Sequence, residues 1–126
     1  REAVITLNQV RMVNGQSELA AVGLREFLSS KPPAKYLAPA DGLLGAALEN
    51  SKRWAEAANA YTQAADAAGV DYLKAAYLVD AGRAFREAGR TDDAIKTYRT
   101  VVQKYADSPS LTEAQVRLAE LTQGRM

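Results

Sequence analysis

The chain has 126 residues, a length that fits one domain. Sixteen basic side chains against fifteen acidic ones leave a net charge of only +1, which argues against a dedicated nucleic-acid binder and offers no polybasic handle for a membrane surface. With no His and no Cys, the commonest general base, the commonest metal ligand and all thiolate chemistry are missing, so neither catalysis, a metal site nor a cofactor is expected.

Alanine, the best helix former, occurs 25 times, and Val, Ile and Thr form no alternating runs. The expectation is an all-α chain. Taken in order, helices are predicted over 2–14, 18–30, 39–50, 54–68, 72–88, 92–105 and 111–123. The first opens directly in an apolar pattern, Ala3, Val4, Ile5, Leu7 and Val10, with Arg1 and no initiator Met before it. That reads as a piece of a longer chain, with any targeting or anchoring segment outside it. Lys31-Pro32-Pro33-Ala34 breaks the chain after the second helix. Pro39 suits the first turn of the third, where a missing N–H costs nothing. Asp71 is the expected cap of the fifth helix and Thr91 of the sixth. Gly89 suits a positive φ at the end of the fifth helix. Ser110 and Glu113 have the spacing of a capping box for the last. No apolar run is long enough to span a bilayer.

Residue classes return at a shift of 37. One position holds Asn8, Gly45, Gly82 and Ala119; the one before it holds Leu7, Leu44, Ala81 and Leu118. A second small position holds Ala20, Ala57 and Ala94, followed four residues later by Leu24, Tyr61 and Tyr98. The turn between helices holds Gly15, Lys52 and Gly89, and the chain after the second helix holds Pro32, Gly69 and Ala106. Antiparallel helices pack closely where small side chains cross, so Gly45 and Gly82 are expected to face Ala57 and Ala94. Leu48, Tyr61, Phe85 and Tyr98 then fill the space between pairs. A single pair cannot bury its apolar face, so pairs stack. The reading is a single domain over 1–126, with repeats at about 1–37, 38–74 and 75–111. A capping helix over 111–123 presents Leu111, Ala114, Leu118 and Leu121 inward and polar residues outward.

The run from Tyr77 to Arg90, with Gly82, Ala84, Phe85 and Gly89, resembles the first helix of a tetratricopeptide repeat. Thr91-Asp92-Asp93-Ala94-Ile95-Lys96-Thr97-Tyr98 is similar to the start of its second helix. Gly45, Trp54, Ala57 and Tyr61 repeat the pattern, and Gly15, Ala20, Leu24 and Pro32 keep it weakly. The resemblance implies an α-solenoid of three helix pairs plus a C-terminal capping helix. The spacing of 37 departs from the usual 34. The Lys-Asn-Arg clamp of family members that bind chaperone tails is absent, since Ile5, Gln9, Leu43, Ala76 and Asp80 stand at the matching places. Tyr105-Ala106-Asp107-Ser108-Pro109 resembles the inter-repeat turn of bacterial membrane-anchored members, such as the ancillary subunit of the Sec translocon and the coordinator of the Tol-Pal system. That closer resemblance implies a periplasmic domain, favoured slightly over a cytoplasmic one.

The family implies a scaffold that binds a protein or peptide along its concave face, which the first helix of each pair lines. The groove candidates are Ile5, Gln9, Met12, Leu43, Ala46, Glu49, Asn50, Val79, Arg83 and Arg86. Arg83 and Arg86 share a helix face and could fork onto a partner carboxylate. Alternatively, they sit in local ion pairs, for example Arg83 with Asp80 or Glu87. Met12 offers an adaptable apolar contact, or packs on an upstream helix. Trp54 and the tyrosines at 61, 72, 77, 98 and 105 read mainly as packing residues. Asp92-Asp93 sits at a helix start, where the dipole favours negative charge. Gly42-Leu43-Leu44-Gly45 lacks the Lys-Ser or Lys-Thr of a phosphate loop. An alternative role is a structural or self-associating spacer in a bacterial envelope complex.

Overall fold

The computed structural model describes residues 2–123. Its elements are α1 (Glu2–Val13), α2 (Ser17–Ser29), a 3-10 turn (Ala34–Tyr36), α3 (Leu37–Asn50), α4 (Trp54–Ala67), α5 (Asp71–Glu87), α6 (Thr91–Lys104) and α7 (Leu111–Thr122). No strand occurs among the described residues. Each helix packs on its neighbours in sequence, and α1 also touches α3, and α5 touches α7. The result is an all-α helical-repeat solenoid. The helix bounds agree with expectation to within two residues. The short turn at Ala34–Tyr36 was not foreseen, and it advances the start of α3 to Leu37. Pro39 still falls in the first turn.

The turn inside each pair has one geometry, repeated three times. Gly15, Lys52 and Gly89 take φ of 77°, 61° and 78°. The next residue's N–H then reaches back to close the preceding helix: Gln16 to the Arg11 carbonyl at 2.7 Å, Arg53 to Leu48 at 2.8 Å and Arg90 to Phe85 at 2.9 Å. This is the six-residue Schellman closure, which satisfies carbonyls that a helix end leaves open. Gln16, Arg53 and Arg90 each also serve as the N-cap of the following helix. One residue therefore ends one helix and begins the next.

The expected side-chain caps do not form. Asp71 and Thr91 are the first residues inside their helices, with Val70 and Arg90 at the cap positions. Ser110 is the N-cap of α7 but is itself helical, with φ −79° and ψ −9°, and makes no side-chain cap bond. A capping hydroxyl needs extended backbone beneath it to reach the N–H groups.

The core explains the recurring small residues and adds a contact to the expectation. Gly45 and Gly82 make room for tyrosine rings, while Ala57 and Ala94 are themselves fully buried. A Cβ on Gly45 would lie 2.7 Å from Tyr61 Cδ1, and one on Gly82 would lie 2.6 Å from Tyr98 Cζ. Tyr61 and Tyr98 are 4% and 1% exposed, and they fill space within their own pairs. In the first pair the roles are exchanged. Asn8 is fully buried on α1, donating to the Val4 carbonyl at 2.9 Å and accepting from Arg11 Nη1 at 3.0 Å. Gly23 on α2 makes the space, since its Cβ would stand 2.8 Å from Asn8 Oδ1. Ala119, the fourth residue of this register, is exposed, with no further helix after α7 among the described residues. Ala114 and Leu118 are buried, so α7 packs its apolar face on the α5–α6 pair.

Candidate protein-interaction face

A polar network links the first helices of successive pairs. The Arg83 guanidinium on α5 donates from Nε and Nη2 to the two carboxylate oxygens of Glu49 on α3, at 2.7 and 2.9 Å. Its Nη1 donates to Asp80 at 3.0 Å. The Tyr61 hydroxyl on α4 donates to the same Glu49 at 2.7 Å. Three helices thus meet at one carboxylate, and the fork geometry fixes its plane. Burial alone would raise Glu49, but the hydrogen bonds from Arg83 and Tyr61 and the Arg83 charge outweigh it and hold the carboxyl below its usual range. The bond to Glu49 holds Arg83 up. Burial raises Tyr61, and the bond to Glu49 adds to it.

This network places the candidate residues in different settings. Arg83 is already committed, pairing with Asp80 as one sequence reading had it and with Glu49, which that reading did not include. Arg86, three residues on, is exposed and has no ion-pair partner among the described residues. The two arginines therefore do not act as one fork. Val79 is a correction: at 5% exposed it belongs to the hydrophobic core and presents nothing to a partner. Leu43 and Met12 are partly buried against that core. Gln9 is exposed. Asn50 is exposed and lies 3.4 Å from the Ser17 hydroxyl of α2. Among the packing residues, Trp54 is only partly buried and Tyr72 is 58% exposed, so neither fills the core as expected.

Sequence reasoning missed Asp41. It is 7% exposed and has no hydrogen-bond partner among the described residues, and burial pushes its carboxyl up to about 6. Valine and leucine stand at the matching places, Val4 and Leu78, so the break in the apolar register was the available signal. Arg53 and Arg25 both pair with Glu56, at 2.6 and 2.8 Å, and tie α2 to the start of α4. Both pairs are solvent-exposed and screened, so they contribute little to stability.

Residues 76–108, spanning most of α5, all of α6 and the turn that follows, match the family model described as a tetratricopeptide repeat. That match supports the tetratricopeptide family for this helical-repeat chain. It covers one of the three pairs; the other two share its Schellman turn. A comparison with curated proteins found no match. Tetratricopeptide repeats generally mediate protein–protein interaction. No helix among the described residues is long and apolar enough to cross a membrane.

Proposed function

We propose that the chain is a protein-binding scaffold whose partner docks along the face formed by the first helices, α1, α3, α5 and α7. The observation that carries this reading is the repeated pair stack with a tetratricopeptide match over 76–108. On this face Gln9 and Arg86 are free to meet a partner, with Leu43 and Met12 as partly exposed apolar contacts and Asn50 at the edge. Arg83 takes a supporting part by holding α5 against α3 through Glu49. The recognised segment is an extended or helical peptide of a protein partner. The resemblance of the Asp107-Ser108-Pro109 turn to bacterial envelope members makes the periplasm the compartment in which to look first.

The test is crosslinked capture from native lysate with membranes included. It compares the unaltered domain with a Gln9→Lys, Arg86→Glu variant, both changes lying at exposed positions. A partner enriched by the first and lost by the second, at unchanged melting temperature, supports the docking face. Identical capture by both sinks it.

A second reading has its own support. Leu7, Val10 and Val13 on α1 are 48%, 50% and 87% exposed, and Leu19 and Val22 on α2 are 46% and 55% exposed. Leu44 and Ala47, at the places matching Leu7 and Val10, are 6% and 0% exposed. The first pair therefore offers an apolar surface through which a self-associating spacer would assemble. Sedimentation analysis would then show mass rising with concentration, and Val10→Lys would abolish the rise. A concentration-independent monomer rules this reading out.

A further inference from the structure

The Glu49 network has a counterpart one repeat later, with its charges reversed. A shift of 37 carries Glu49 to Arg86, Asp80 to Arg117 and Arg83 to Glu120, while Tyr61 becomes Tyr98. The two tyrosines keep the same seat, since Gly45 stands against the Tyr61 ring and Gly82 against the Tyr98 ring. The first quartet holds two carboxylates, one guanidinium and one phenol. Arg83 binds both acids and the Tyr61 hydroxyl donates to Glu49, so every group has a partner.

The second quartet, spread over α5, α6 and α7, is left open. Its pair within one helix does form: Arg117 Nη1 donates to Glu120 at 3.1 Å, the mirror of Arg83 donating to Asp80. Nothing stands in for the Glu49 carboxylate. Arg86 is exposed without an ion-pair partner, and the Tyr98 hydroxyl has no hydrogen-bond partner, among the described residues. Yet Tyr98 is only 1% exposed. Burial raises its hydroxyl above the usual phenol range and Glu113 adds to this, while the charges of Arg117, Arg83 and Arg86 act the other way. Three cations therefore face the phenol, and of these Arg83 is already held by Glu49 and Asp80.

We infer that Arg86, Tyr98 and Arg117 form a seat for the side-chain carboxylate of a glutamate in a partner segment, held as Tyr61 and Arg83 hold the Glu49 carboxylate. A phenol and a guanidinium both donate, so the group that completes them is an acceptor. Two arginines and one glutamate leave the open quartet with one positive charge in excess, and one carboxylate neutralises it. The Tyr98 hydroxyl belongs to a nearly enclosed residue, which a carboxylate reaches on the two methylenes of glutamate more readily than as a chain end. This inference rests on the docking-face reading and names one residue of the segment that the face takes.

The test titrates N-acetylglutamate α-amide, whose only charge is the side-chain carboxylate, at low ionic strength. It follows the Nε–H signals of Arg86 and Arg117 by NMR. Saturable shifts at both, with a Kd of about 10 mM, are expected for so small an anion. The glutamine analogue should give none. Tyr98→Phe should weaken binding about fivefold at an unchanged melting temperature, because the hydroxyl holds nothing else. Arg86→Gln, at an exposed position, should abolish binding in a folded chain. The inference is overturned by the absence of saturable shifts, by equal shifts with the glutamine analogue, or by undiminished binding to either variant. Tighter binding of N-acetylalanine, whose carboxylate is a chain end, also overturns it. So does coupling between Arg86→Gln and Glu120→Gln in urea unfolding, since the chain's own glutamate would then fill the seat. No partner protein enters this titration. Its failure therefore leaves the docking face standing, and failure of the capture experiment does not alter binding of the glutamate probe.

Discussion

Gly45 and Gly82 each stand against a tyrosine ring at a separation that leaves no room for a methyl group. Alanine at either position gains helix propensity of about 0.5–1 kcal/mol. It also drives a Cβ into a ring that is itself packed, at a cost of about 1–3 kcal/mol. Gly82→Ala is therefore expected to lower stability by about 1–2 kcal/mol in urea unfolding. Lys52 is the opposite case. It holds φ 61° where Gly15 and Gly89 stand in the other two turns, so Lys52→Gly should raise stability by about 1 kcal/mol by relieving left-handed strain. Asp41 brings a dependence on pH. Its carboxyl sits at about 6 in the folded chain against 3.8 in its ordinary state. Between these values the folded chain holds a proton that the unfolded chain has released, so stability rises as pH falls from 7 towards 4. Asp80 is raised too, by burial that Arg83 only partly offsets, and adds to the slope. Glu49, held low, works the other way only as pH falls through its ordinary value of 4.5 and below. Asp41→Asn should flatten most of the rise between pH 7 and 5, as read by the urea midpoint.

At the scale of the elements, the contact between α3 and α5 depends on a carboxylate shared by two donors. Removing it leaves the Arg83 charge with Asp80 alone and the buried Tyr61 hydroxyl without its acceptor. Glu49→Ala is expected to cost about 1–3 kcal/mol, because an unsatisfied buried group loses its full desolvation term. A double-mutant cycle with Arg83→Ala should show coupling of at least about 0.5 kcal/mol, whereas independent effects would mean the ion pair contributes nothing. The shift of 37 turns this pair into Arg86 and Glu120, and in the other direction into Met12 and Ala46. The successive junctions thus differ in charge order, which disfavours stacking in the wrong register.

The whole molecule is quasi-linear, and each helix depends mainly on its neighbours. The end helices have cover on one side only, whereas α4 packs between α3 and α5. Hydrogen exchange should therefore be slowest in α3, α4 and α5, faster in α7, and fastest in α1, where exposed Leu7, Val10 and Val13 mark the uncovered side. Uniform protection from α1 to α7 would contradict this and show a single cooperative unit.

The residues alone determined the helices, their pairing and the turns. Alanine content, a repeat of 37 and a glycine or lysine at each tight turn are local signals, and local physics reads them. Tertiary structure alone decided which groups meet. Glu49 and Arg83 are 34 residues apart, and nothing in their spacing foretells a shared carboxylate. The partner of Gly45 and Gly82 proved to be a tyrosine ring because the crossing point of two helices depends on how both rotate, and no single helix encodes that. The same holds for the candidate face. The sequence offered Arg83 and Arg86 as equals, and packing joined Arg83 to Glu49 and left Arg86 without an ion-pair partner among the described residues.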